Sequence, residues 1–297
     1  MISPSRKAKF CALLNMMLSI RVPASTTNLG PGFDCLGAAL QLWNRISVEA
    51  GGSGDQNPPI VSEAANLFFD QTGEKRFAIR CLIEGDIPQA RGLGSSVTIR
   101  AAVLLALNAL ANNRLTKRDL CELCAILEGH PDNAAAALYG GFTIISKARN
   151  EIARFEIDPV LKFVLFIPNF EVRTSEARRV VPESFSRQAV VENLANASLV
   201  ATAFASRRYE QLRDSFADRL HQPFRTQFVP FLPKVLEAAR KAGALGGFLS
   251  GSGSTIACLT LSDASDVAAS IAEAAPEAKA KILIVSADNS GAQILEG

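Results

Sequence analysis

Residues Arg91 to Ser96, RGLGSS, lie directly against the apolar run from Val97 to Ala111. Gly92 and Gly94 permit a positive φ and a close approach of backbone to ligand. Ser95 and Ser96 fall at a helix start, where unpaired N–H groups and the positive end of the dipole favour an anion. These residues suit a phosphate cradle and equally a serine-capped turn. Two other phosphate loops do not fit. No glycine is followed after four residues by Gly-Lys-Ser/Thr. The dinucleotide fingerprint needs a third glycine where Val97 stands, and no acidic residue closes a strand about twenty residues on.

Three more segments carry polar groups on small-residue backbones. Asn28 to Gly37, NLGPGFDCLG, reads as a loop with Asn28 and Asp34. Glu128 to Asn133, EGHPDN, ends a helix with two carboxylates and one of the two histidines. Leu249 to Thr255, LSGSGST, sits between two strand-like stretches. Each alone is an ordinary turn; their order along one chain is harder to explain that way.

The elements that must position these segments alternate without internal repeats. Leu18–Val22, Gln41–Glu49, Phe77–Glu84, Phe142–Ser146, Lys162–Ile167 and Ala280–Val285 read as strands, as do Leu245–Leu249 and Ile256–Leu261. Val97–Ala111, Lys117–Leu127 (capped by Thr116), Glu192–Ser206 and Phe231–Ala242 read as helices. Gly51 to Pro59 is expected as a surface loop. The fold class is α+β, with a division near Ile157-Asp158-Pro159 into units 17–158 and 159–297. Residues 1–16 read as a poorly ordered extension, or as a start set too early with Met16 or Met17 the true first residue.

Composition sets the outer bounds. The chain of 297 residues, 48% hydrophobic, can bury two cores. A net charge of +2 with no long basic run argues against nucleic acid, and the short apolar run within residues 1–16 is too brief to span a bilayer. Six cysteines lie mostly among apolar residues, as in a reducing, cytoplasmic setting. Cys121 and Cys124 form a lone C-x-x-C without a second ligand pair, which argues against zinc.

Taken together the motifs resemble the GHMP kinases, the family of galactokinase, homoserine kinase and mevalonate kinase. The likeness runs from about Leu18 to the C-terminus. Pro88-x-x-x-Gly92-Leu93-Gly94-Ser95-Ser96 carries the family pattern. Pro23-x-Ser25-x-x-Asn28-Leu29-Gly30-Pro31-Gly32-Phe33-Asp34, which has no basic residue, and Glu128-Gly129-His130-Pro131-Asp132-Asn133 are similar to the homoserine-kinase branch.

The resemblance implies a two-domain fold, with an N-terminal ribosomal-protein-S5-domain-2-like unit and a C-terminal ferredoxin-like unit. It implies ATP held by Pro88, Arg91, Gly92, Leu93, Gly94, Ser95 and Ser96, with Asn66 near the adenine. Magnesium would sit on Ser96 and Glu128, with Glu122 as the fallback ligand, and Thr174 would stand near the γ-phosphate. L-homoserine would be held by Asn28, Asp34, His130, Arg178 and Arg225, the arginines gripping its carboxylate. The glycine loop Ser250–Ser254 would close the site. Asp132 would brace the loop, and Arg179 would be a solvated surface charge. His130 could alternatively cap the helix end at Glu128. The expected reaction is phosphorylation of the hydroxyl without a dedicated base, so Asp34 is assigned to binding. Expected partners are the small-molecule substrate alone or with a second copy of the chain as a homodimer, with no nucleic acid and no membrane. Alternatives are a kinase of another hydroxylated metabolite, or a non-catalytic nucleotide-binding regulator. Two departures stand out. Ser254 occupies a usual proline position, and Arg100 lies one turn into the phosphate-loop helix, facing solvent, a partner or the nucleotide.

Overall fold

The computed structural model describes residues 16–51, 56–146, 148–149 and 151–295. The expectation for residues 1–16 lies outside these, save Met16, whose carbonyl accepts a hydrogen bond from the Ala50 amide. The first sheet is built on a long hairpin of β1 (Met17–Asn28) and β2 (Gly32–Ala50). Around it lie β3 (Ile79–Gly85), β4 (Phe142–Ser146), β5 (Glu151–Phe155) and, from the far end of the chain, β10 (Gln293–Leu295). The order is β10-β1-β2-β4-β5, with β3 also paired to β2. The second sheet runs β7-β8-β6-β9. Its strands are β6 (Lys162–Ile167), β7 (Gly246–Leu249), β8 (Ile256–Thr260) and β9 (Lys281–Val285).

Helices cover these sheets because their apolar residues need a partner surface. In the first half they are α1 (Pro59–Thr72), α2 (Ser95–Leu110), α3 (Lys117–Glu128) and α4 (Asp132–Tyr139). Helix α2 is apolar nearly all round and accordingly buried from Val97 to Leu107 on almost every face. Thr116 caps α3 as expected, and Asp119 adds the reciprocal bond that makes a capping box. The second half adds α5 (Thr174–Arg179), α6 (Arg187–Ser206), the short α7 (Gln222–Arg225), α8 (Leu232–Lys241) and α9 (Ala264–Ala274). One core cluster spans both halves, joining Ala24, Leu40 and Phe142 to Phe163, Phe204 and Phe248.

Three differences from the sequence reading matter for the site. Helix α1 follows at once on the loop expected at 51–59: Pro58 and Pro59 suggest a loop, but Pro59 is the first helical residue, where its missing N–H costs nothing. The expected loop at 28–37 is a three-residue turn with strand on both sides, and Asn28, Leu29, Gly30 and Asp34 have positive φ. Finally, β5 and β6 fall in different sheets on either side of residue 158, yet β10 pairs with β1 and Ala287 bridges Leu40. The stretch 159–297 thus gives its last strand to the first sheet, because the β1 edge would otherwise stay unpaired.

Candidate active site

The turn between β1 and β2, the loop before α2, the α3–α4 junction and the loop between β7 and β8 meet around one cleft of about 780 Å³. At one end, Gly92 (φ 73°) and Gly94 (φ 69°) shape the loop at Arg91–Ser96. A Cβ on Gly92 would stand 2.0 Å from the Ser250 carbonyl oxygen, so the loop packs too closely for any other residue. No side chain caps α2, and Ser95, Ser96 and Val97 of its first turn line the cleft. Free N–H groups and a positive dipole end there fit a phosphate chain. The Arg91 guanidinium is turned aside, donating to the carbonyls of Pro168 and Gln89. The β7–β8 loop locks this arrangement. Ser250 Oγ donates to the Gly92 carbonyl (2.6 Å) and the Thr255 amide to that of Arg91 (3.1 Å). Gly251 and Ser252 line the cleft. Ser254 is buried, and its hydroxyl donates to the Phe170 carbonyl.

Ser96 Oγ donates to Glu128 Oε2 at 2.9 Å. These two oxygens, side by side at the phosphate end, are the donor set a hard cation takes. Glu122 is six residues away on α3, which turns it to the far side, where it borders a separate small hollow. Arg100 is turned away from solvent: it donates to Glu128 Oε1, and to Glu63 of α1 at 3.0 Å. Glu63–Arg100–Glu128 thereby ties three helices together.

The opposite end is built from Asn28, Asp34, His130, Arg178 and Arg225, all of which line the cleft. Arg178 grips Asp34 with two parallel bonds, Nη1 to Oδ2 (2.9 Å) and Nη2 to Oδ1 (2.6 Å). Asn28 receives the Asp34 amide and donates to the Gly251 carbonyl. The His130 ring does not cap α3; its Nδ1 meets Asp132 Oδ1 at 2.7 Å, and Asp132 also accepts the Asn133 amide. Burial opposes charge on both members, but their hydrogen bond and attraction outweigh it. His130 is held above the usual histidine pKa and Asp132 below the usual carboxylate range. Arg225 is 2% exposed. Burial, then repulsion from Arg178, pushes it down to about 10. Arg179 is exposed, as expected. Thr174 opens α5 at the cleft rim, its hydroxyl 3.4 Å from that of Ser252.

Two expected residues are not brought in. Asn66 lies on the exposed face of α1, bound to Arg76, because the helix turns Val61, Ala64, Ala65 and Phe68 inward instead. Pro58, Ile60 and Ile83 form the cleft wall on that side. Pro88 stands just outside, and the lining begins at Gln89. Thr27, Asn133 and Ser252 belong to the lining and were not singled out for it; each sits inside a motif that was. His221, buried behind Arg225, was also overlooked.

Among the described residues no cluster of three or more metal-type ligands occurs, and no helix is long and apolar enough to cross a membrane. Burial pushes the Cys121 thiol up to about 12 and Cys124 well above its usual value, so neither presents a thiolate. Both should resist a thiol reagent in the native protein and react only after denaturation. Rapid native labelling at either position would contradict that burial.

Residues 59–141 match the GHMP kinases N terminal domain and residues 200–277 the GHMP kinases C terminal domain. The chain belongs to the GHMP kinase family. A homoserine kinase of Caldicellulosiruptor bescii is 35% identical, over 94% of this chain and 97% of the relative. One from Synechococcus is 39% identical, over 84% and 87%. The crystal structure of homoserine kinase from Cytophaga hutchinsonii superposes with a TM-score of 0.84 at 23% identity, covering 94% of this chain and 97% of that one.

Proposed function

We propose that the protein transfers the γ-phosphoryl group of ATP to the hydroxyl of L-homoserine, giving O-phospho-L-homoserine and ADP, the step that leads toward threonine. The observation that carries this reading is a single cleft with an anion cradle at one end and a carboxylate with two guanidiniums at the other. A zwitterion offers each side its complement: an ammonium for Asp34, and a carboxylate for Arg178 and Arg225. The homoserine kinases among the relatives support the same substrate.

The chain contributes mainly position and charge. The Gly92–Ser96 loop and the start of α2 hold the triphosphate, and Thr174 with Ser252 borders the transferred group. Ser96 and Glu128 would hold magnesium, which supplies neutralisation of phosphate charge when bound. Both oxygens of Asp34 are engaged by Arg178, as suits a binding carboxylate rather than a free base. A loose transition state for phosphoryl transfer requires little activation of the hydroxyl.

A coupled ADP-release assay tests this reading. Homoserine should be the preferred acceptor over analogues lacking either the ammonium or the carboxylate. Arg178→Lys keeps the charge and loses the fork, so the homoserine KM should rise by about one to two orders of magnitude, from roughly 1.5–3 kcal/mol per charged hydrogen bond. The KM for ATP should stay put, and Arg179→Lys should be nearly silent. Preference for another alcohol would overturn the substrate. Weakened ATP binding in Arg178→Lys would move that residue to the phosphate side.

A further inference from the structure

Arg225 carries a buried charge without a carboxylate partner among the described residues. Its Nε donates to the Ala177 carbonyl (3.0 Å), and its Nη1 to the Gly251 carbonyl (3.0 Å) and to His221 Nδ1 (3.2 Å). The Phe33 ring lies 5.1 Å from its guanidinium carbon. Every contact is uncharged, whereas Arg178 is matched by Asp34. A buried cation so arranged keeps its charge for an anion in the cleft.

The contact with His221 has one chemical solution. A guanidinium has no lone pair to accept with, so Nη1 donates and Nδ1 accepts. The ring proton then sits on Nε2, which donates to the Gly30 carbonyl at 2.8 Å. The ring is fully buried and stacks on Phe33 at 5.1 Å. The charged groups around it are Arg225 on its Nδ1 side, Asp218 with an oxygen 3.5 Å from Nε2, and, farther off, Asp34. Asp218 favours a second ring proton, but the carboxylate oxygen nearest the ring already accepts the His221 and Gln222 amides. Burial and Arg225 prevail, pushing the imidazole well below its usual pKa.

We propose that His221 is a positioning residue, a neutral Nε2–H imidazole whose Nδ1 lone pair holds the Arg225 guanidinium, the Nε2–H bond to Gly30 serving to set that tautomer. It would hold Arg225 in register with Asn28, which shares the Gly251 carbonyl with it. This inference rests on the reading of Arg225 as the receptor for the acceptor's carboxylate.

Two variants separate the two ring nitrogens. His221→Asn places an amide oxygen near Nδ1, keeping the acceptor for Arg225 and losing the donor to Gly30. His221→Gln does the converse. If His221 acts through Arg225, His221→Gln raises the homoserine KM about tenfold to a hundredfold, with the KM for ATP unchanged. His221→Asn should stay within about threefold of wild type. Equal losses in both variants, or a matching rise in the KM for ATP, would overturn the proposal. Ring ¹⁵N chemical shifts of the wild-type protein give a readout independent of turnover and of variant folding. Nδ1 should be unprotonated and Nε2 protonated at neutral pH, and the opposite tautomer or a charged ring would also overturn it. If wild type ignores homoserine while the ring shows the expected tautomer, the substrate reading fails and the tautomer stands.

Discussion

Glu128→Gln should lower turnover by about two to three orders of magnitude and raise the magnesium requirement sharply, comparable to removing one well-placed charge-stabilising group. The carboxylate lies between Ser96 and Arg100, 9% exposed, with one oxygen toward each. An amide removes the anionic oxygen a hard cation would take and leaves Arg100 with Glu63 alone. Glu122→Gln, on the far side of α3, should be within a factor of about two of wild type, as surface changes usually are. Steady-state rates across a magnesium titration decide it. Equal effects of the two substitutions would remove Glu128 from the phosphate end.

Gly92→Ala should destabilise the fold by several kcal/mol and weaken ATP binding along with it. Two costs add here. A left-handed conformation costs an alanine about 1–2 kcal/mol, and its Cβ would fall 2.0 Å from the backbone carbonyl of Ser250, which cannot swing away as a long side chain could. Gly73 provides the control. It has nearly the same φ, 65°, but nothing lies within 4 Å of its missing Cβ, so Gly73→Ala should cost only the conformational part. Denaturant unfolding of both variants measures the difference. If the two glycines respond alike, the packing of the β7–β8 loop on the phosphate loop is looser than described.

How much of this could be read from the sequence depended on whether the signal was local. The boundaries of α2 and α3 follow from an apolar run and a threonine N-cap, both local signals. Ser96, Glu128, Thr174 and Arg178 converge on the cleft because each lies inside a motif whose spacing is short. Asn66 failed for a reason of helix phase: a shift of one residue on α1 separates the buried Ala65 from a solvent-facing amide. The environment of Arg100 came from Glu63 and Glu128, which lie 37 and 28 residues away along the chain. His221 lies 191 residues from the carbonyl it meets, and no periodicity spans such a distance. The mutual grip of Asp34 and Arg178 was hidden likewise, although both had been singled out separately.

Strand β10 ties the beginning of the described chain to its end, with Ser19 opposite Leu295 and Arg21 opposite Gln293. During synthesis this pairing becomes available only after the more than 270 residues between the paired positions have emerged. Until residues 293–295 leave the ribosome, the outer edge of β1 offers unpaired N–H and C=O groups to any strand nearby. Nascent chains on one polysome carry that same edge at high local concentration, and an open edge can recruit a strand from a neighbouring chain. The hairpin that carries Asn28 and Asp34 is therefore made early and guarded late. Shielding of the β1 edge by chaperones, or rapid synthesis through residue 295, would protect the yield of active protein over that interval.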